Sequence, residues 1–189
     1  MTEETHEKLK QIKQSFRLMM NGDAMRSMRD KGVEYHLNWG VSIIDLRQMA
    51  AEWGKDYDLA IELWKENIRE CKILATMIMP PERMLPEIVD LWMEQTTEVE
   101  IAEQASFNLY QHLPYIPEMA FRWIASDRSV EQISGYHVLS RLFMRGMQPN
   151  ERTREELVDQ ANAAIAGSDI IVRHAATTCL QRLEELEEQ

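Results

Sequence analysis

The 189-residue chain reads as an all-α protein built from antiparallel helix pairs stacked side by side. Three observations predict this. Apolar residues recur at helical spacing nearly everywhere, with no convincing run of the alternating polar and apolar kind that marks a strand. Residues that start and stop helices divide the chain into about ten segments, mostly of about 10 to 18 residues. The connections are short, roughly two to six residues, which suits helical hairpins; a four-helix bundle is the competing architecture.

The elements follow in chain order. A first helix spans roughly residues 3 to 20, and residues 1 to 37 form an N-terminal helical part. Ser42 with Asp45 three residues later resembles a capping box, and that helix should end near Gly54. Asn67 with Glu70 repeats the device. It opens a helix whose apolar positions Ile68, Cys71, Leu74, Ala75 and Ile78 share one face, until Pro80 and Pro81 stop it. Further starts are marked by Pro86, by Pro117 and by Ser129 with Gln132. The last two helices, about 151 to 166 and 169 to 187, are divided by Gly167 as a left-handed C-cap and Ser168 or Asp169 as the next N-cap. Self-similarity is weak, so the whole reads as one domain, residues 1–189, forming an α-solenoid of degenerate HEAT-like helix pairs.

Composition narrows the function. The chain carries 21 Lys and Arg against 32 Asp and Glu, a net charge of −11. The excess is local: residues 82–110 hold only Arg83 against seven acids, whereas residues 1–38 hold seven cations against six acids. No apolar run approaches the roughly 18 residues needed to span a bilayer. The charged start "MTEETHEKLKQ" is unlike a secretory signal, so no membrane association and a cytoplasmic location are expected. Cys71 and Cys179 lack partners at metal-ligand spacing and read as small core hydrophobes. The five histidines make no HxxxH arrangement, so no metal is expected; His137 and His174 read as structural. Glycine-rich phosphate loops and GxSxG are absent.

The stretch "NWGVSIIDLRQMAAEWGKDYDLAIELWKENIRECKILATMI", residues 38–78, carries a resemblance. Gly40, Val41, Leu46, Arg47, Leu63, Trp64 and Ile73 through Thr76 follow the pattern of the HEAT-like DNA alkylation repair family. The segments "FNLYQHLPYIPEMAFRWIASD", "SGYHVLSRLF" and "IIVRHAATTCLQRL" come in the family's order and spacing, so the resemblance covers about residues 38 to 187. It implies a solenoid whose concave face binds duplex DNA. In active members it implies excision of N3- or N7-alkylated purines without flipping the base into a pocket. Tryptophans would press on the damaged nucleotide while an Asp stabilises cationic character on the sugar. A cationic leaving base makes a face of rings with one carboxylate chemically sufficient for much of the work.

Residue by residue the signature is thin. Alignment on Asn108 to Tyr110 puts the family's tryptophan on Val99 and its aspartate on Glu103. The phosphate-contacting arginine falls on Ile133 and the second tryptophan on Thr178. Glu103, with Glu100 on the same helix face as a weaker candidate, is therefore the catalytic carboxylate if there is one. The alternative reading of these acids is a solvated helix face. Candidate contacts to DNA or a partner are Arg47, the pair Arg69 and Lys72, the pair Arg141 and Arg145, the indoles Trp39 and Trp92, and Tyr136. The methionines around Pro80, including Met77, Met79, Met84 and Met93, either fill core gaps or form an adaptable apolar surface. Two functions are expected from this. The first is a catalytically degenerate scaffold that binds a protein partner or, weakly, nucleic acid. The second is a divergent alkylpurine DNA glycosylase using Glu103. Neither requires a metal or an organic cofactor.

Overall fold

A computed structural model describes residues 2–188. Those residues form eleven α-helices and two 3-10 turns, with no strand among them. The chain divides into two compact units, one up to Trp92 and one from Met93.

The first unit contains α1 (Glu3–Leu18), α2 (Gly22–Asp30), α3 (Ile43–Trp53), α4 (Tyr57–Lys65), α5 (Arg69–Ile78), a 3-10 turn at Pro81–Arg83 and most of α6 (Pro86–Glu94). α4 packs on α5 and α1, and α3 packs on α5. Phe16 and Ile12 of α1 reach full burial, as do Leu46 of α3, Leu59 and Leu63 of α4 and Ile73 and Leu74 of α5, each set at helical spacing. Trp64 and Trp92 stack almost coplanar, with ring centroids 4.0 Å apart and planes 2° from parallel. Ser42 caps α3 through the Asp45 N–H at 3.1 Å, and α3 ends at Gly54 with φ 71°, as its sequence predicts. Met79, Met84 and Met93 are buried and Met77 is half-buried, so these methionines are gap-fillers rather than an open surface.

Asn67 does not cap α5, whose N-cap position is Ile68 and has no side-chain cap. The reason lies in Glu70, which is fully buried and turned toward another segment. Both of its oxygens accept from the Trp39 N–H at 3.1 Å, and Oε1 accepts from the Val41 N–H at 3.3 Å. Arg69 completes the knot. Its guanidinium donates to Glu70 at 3.1 Å and to the Val41 carbonyl at 2.9 Å, and its own N–H donates to Leu37 O at 3.0 Å. The strap being held, residues 37–41, includes Gly40 at φ 70°, where an added Cβ would lie 2.3 Å from the Asn21 carbonyl oxygen. Glycine is required there on both counts.

The second unit contains α7 (Val99–Asn108), a 3-10 turn at Tyr110–His112, α8 (Ile116–Ile124), α9 (Ser129–Met144), α10 (Glu151–Ala166) and α11 (Ile170–Glu187). α9 is its centre and packs on α7, α8 and α11. Gly135 permits the approach to α8, since a Cβ there would stand 2.8 Å from the Ala120 carbonyl oxygen. α11 answers α9 with a face of Ala175, Ala176 and Cys179. Arg128 donates to the carbonyls of Met93, Glu94 and Thr96, closing the C-terminal end of α6, and pairs with Glu131 at 2.6 Å.

Two expected caps are realised differently. Ser129 is the first helical residue of α9 rather than its cap, and its hydroxyl donates to Asp169 Oδ2 at 2.7 Å. Gly167 has φ −71°, so it is extended and not left-handed. Asp169 does cap α11, accepting from the N–H groups of Ile171 and Val172. The Ser129 hydroxyl first, and then the Val172 N–H, lower the Asp169 carboxyl pKa against the opposing effect of burial. That bonding therefore stabilises the fold above the unfolded-state pKa and is lost as pH falls through the lowered one.

Replacing Glu70 with Ala would leave the Arg69 charge buried without its partner. The expected loss is about 3–5 kcal/mol in urea unfolding; a loss below about 1 kcal/mol would show that the strap holds itself. Both thiols are buried, and desolvation raises their pKa values, Cys179 to about 12 and Cys71 beyond the accessible range. A thiol reagent at pH 8 should therefore label neither cysteine in the native protein and both in denaturant. Rapid native labelling would contradict the packing.

Candidate functional site

The candidate carboxylate stands on the seam between α7 and α9. Glu103 Oε1 lies 3.5 Å from His137 Nε2, with the glutamate side chain 36% exposed and the imidazole 16%. One turn along α7, Phe107 meets the edge of the same imidazole at 5.1 Å and 64°. One turn along α9, the Arg141 guanidinium sits 4.7 Å from the Phe107 ring centroid. A turn further again, Arg145 donates to the Gln111 carbonyl. Glu103, Phe107 and Gln111 thus face His137, Arg141 and Arg145, both series advancing by four. That register requires α7 and α9 to run the same way, with α8 as the return between them. This is the arrangement expected of successive helical hairpins.

Chemically the seam offers a half-exposed ring with one guanidinium beside it and one carboxylate a turn away. The ring and guanidinium can present a flat, positively charged surface to a base or a phosphate. The carboxylate already has the His137 imidazole as a close neighbour. Glu100 lies half-buried one turn before Glu103 on α7.

The other positions that the resemblance aligns with signature residues hold different chemistry. Val99 is half-buried, Ile133 is fully buried in the α9 core, and Thr178 is half-buried on α11. A guanidinium at 133 would be inside the protein, so that position serves packing.

Of the proposed contact residues, Arg47 is exposed and makes no ion pair with the described residues. Arg69 is 3% exposed and committed to Glu70 and Val41, so it does not form a surface stripe with Lys72. Lys72 is half-buried with its ammonium 5.4 Å over the Trp64 ring. Trp92 is buried in the indole stack and Tyr136 is fully buried, where desolvation pushes the phenol pKa up. Neither can touch a ligand as packed. Trp39 is half-buried and covered by Arg17, whose guanidinium lies 5.6 Å from the ring.

The sequence predicts a structural His137 and a pair of cations at Arg141 and Arg145, and does not reveal that His137 meets Glu103 and Arg141 meets Phe107. The signal was the matched four-residue spacing on the two segments. His174 is exposed rather than structural. Among the described residues, no three His, Cys, Asp or Glu side chains converge as a metal site, and no helix is long and apolar enough to cross a membrane.

The family model described as DNA alkylation repair enzyme matches residues 7–185. A solved structure, described as "A new family of proteins related to the HEAT-like repeat DNA glycosylases with affinity for branched DNA structures", superposes with a TM-score of 0.81 at 16% identity, covering 95% of this chain and 79% of that one. At that identity the likeness establishes the helical-repeat fold. No curated protein matches the chain in sequence.

Because the Glu103–His137 contact is partly solvated, Glu103→Gln should change stability by no more than about 1 kcal/mol. Urea unfolding of the variant checks this, and a loss above about 2 kcal/mol would make the carboxylate a structural element instead.

Proposed function

Since the chain belongs to the DNA alkylation repair enzyme family, we propose that it is a catalytically degenerate HEAT-like member that binds structured DNA without cutting it. The observation that carries the reading is the state of the signature. Its one surviving carboxylate, Glu103, lies in ion-pair range of His137, while Val99, Ile133 and Thr178 stand where the resemblance calls for two indoles and a guanidinium. Excision needs stabilisation that grows as positive charge develops on the sugar. Val99 and Thr178 have no π face to offer that charge, and the His137 imidazole occupies one side of the carboxylate. Binding asks less, and Arg141, Arg145 and Phe107 support it. The solved relative described as having affinity for branched DNA structures supports DNA, particularly branched DNA, over a protein partner. Two buried, unpaired thiols suit a reducing compartment such as the cytoplasm.

A specific observation favours a second reading. Glu103 is half-exposed on α7 beside a cationic face, which is where a divergent alkylpurine glycosylase would keep its carboxylate.

Incubation of the purified protein with duplex DNA carrying N7-methylguanine should release no base. Gel-shift at two salt concentrations should show tighter binding to a four-way junction than to a linear duplex of equal length, weakening as salt rises. Base release that Glu103→Gln abolishes would establish the glycosylase reading in its place. Failure to bind either DNA at low salt would remove the DNA reading and leave a protein-binding scaffold.

A further inference from the structure

The N-terminal helix carries a feature that the signature positions do not account for. Its buried face is Thr5, Leu9, Ile12 and Phe16. Displaced by one residue along the same helical track are His6, Lys10, Lys13 and Arg17, which form a continuous stripe at i, i+4, i+7 and i+11. The stripe borders a groove of about 440 Å³ between α1 and α4, to which α4 adds Lys65. Two carboxylates, Glu62 and Glu66, line the groove opposite. In a chain of net charge −11 this groove still carries more positive than negative side chains.

We propose that the α1 stripe is a binding site for the phosphodiester backbone of DNA, a site separate from the α7–α9 seam. The inference rests on the DNA-binding reading above and adds to it where the backbone is held. Eleven residues of helix rise about 16 Å, and one strand of duplex DNA places a charge roughly every 3.4 Å along its axis. The three charged members, Lys10, Lys13 and Arg17, span seven residues of that rise, about 10 Å, and therefore track about three phosphate spacings of one strand, with His6 extending the stripe.

The cations are available to a stronger anion. Lys10 meets Glu7 at 3.6 Å with both side chains more than half exposed, and Lys65 meets Glu62 while itself 63% exposed. Exposed pairs of this kind hold weakly and yield to a denser charge array. Lys13 is the better-held member, 2.8 Å from Glu66. Arg17 is exposed and has no carboxylate partner among the described residues. Its guanidinium lies near the Trp39 ring, which orients it without neutralising it. An anionic membrane is the competing occupant. It is disfavoured because Leu9, Ile12 and Phe16 of α1 are taken up by the core, and Leu18, the one large apolar side chain that the helix exposes, is too little to anchor it in lipid.

The test uses the full chain, a four-way junction and a linear duplex. Lys10 and Arg17 are both exposed, so the double variant Lys10→Gln with Arg17→Gln should keep the native circular dichroism spectrum. Its slope of log affinity against log salt should be shallower by about 1.8, and its Kd near 0.1 M salt about 10-fold higher. The control, Arg26→Gln with Arg152→Gln, removes the same charge from side chains 74% and 88% exposed elsewhere and should leave the slope unchanged. If the wild type binds DNA and the stripe variant binds identically, the stripe is wrong and the DNA reading stands. If the control weakens equally, bulk charge explains the effect and the stripe is again wrong. If the wild type binds no DNA, both fall. Sedimentation with phosphatidylserine vesicles that depends on Lys10 and Arg17, with DNA affinity unaffected, would overturn the proposal in favour of a membrane surface.

Discussion

The first unit depends on one buried carboxylate. Glu70 has no access to solvent, so its charge is tolerable only because the Trp39 and Val41 N–H groups and the Arg69 guanidinium all point at it. The same contacts fix residues 37–41, which have no helix or sheet of their own to satisfy their polar groups. Gly40 lets the strap approach Asn21, and the Trp39 carbonyl takes the Asn21 N–H at 2.9 Å. From that strap Ser42 launches α3. The position of α3 on α5 is therefore set by an interaction between a helix's first turn and an irregular loop, not by apolar packing alone.

What could be read beforehand follows from the range of the forces involved. Proline stops and the Ser42 and Asp169 caps act within a few residues, so they are legible: α5 ends before Pro80 and α11 opens where Asp169 stands. The misreadings arise where a local device was outbid by a distant partner. Glu70 is spaced to reach back to Asn67 but instead serves residues about 30 positions earlier. Ser129 is spaced to cap α9 but donates across 40 positions to Asp169. Arg69 and Lys72 share a helix face in sequence, yet the burial of one and not the other depends on which element covers that face. The seam follows the same rule. Glu103 was found through the family's spacing, whereas its neighbours His137 and Arg141 come from a helix that the sequence could not place beside it.

The two units distribute charge in a way that bears on any polyanion. The acids of residues 82–110 include Glu103, which an imidazole flanks, while Arg141 and Arg145 stand on α9 and at its C-terminal cap. In the first unit, Lys10, Lys13 and Arg17 of α1 share a single track, while Lys8 lies off it and pairs with Glu4 and Asp56. A net charge of −11 is therefore compatible with attraction at chosen places, because screening at physiological salt limits each charge to about 8 Å.

The near-coplanar pair Trp64 and Trp92 has a practical corollary. Indoles at a 4.0 Å centroid separation couple electronically, so their absorption bands acquire a circular-dichroism signature that separated indoles lack. Four of the five tryptophans lie in the first unit and Trp123 alone lies in the second. The chain thus contains its own optical labels, and the loosening of one half can be followed apart from the other without attaching a dye.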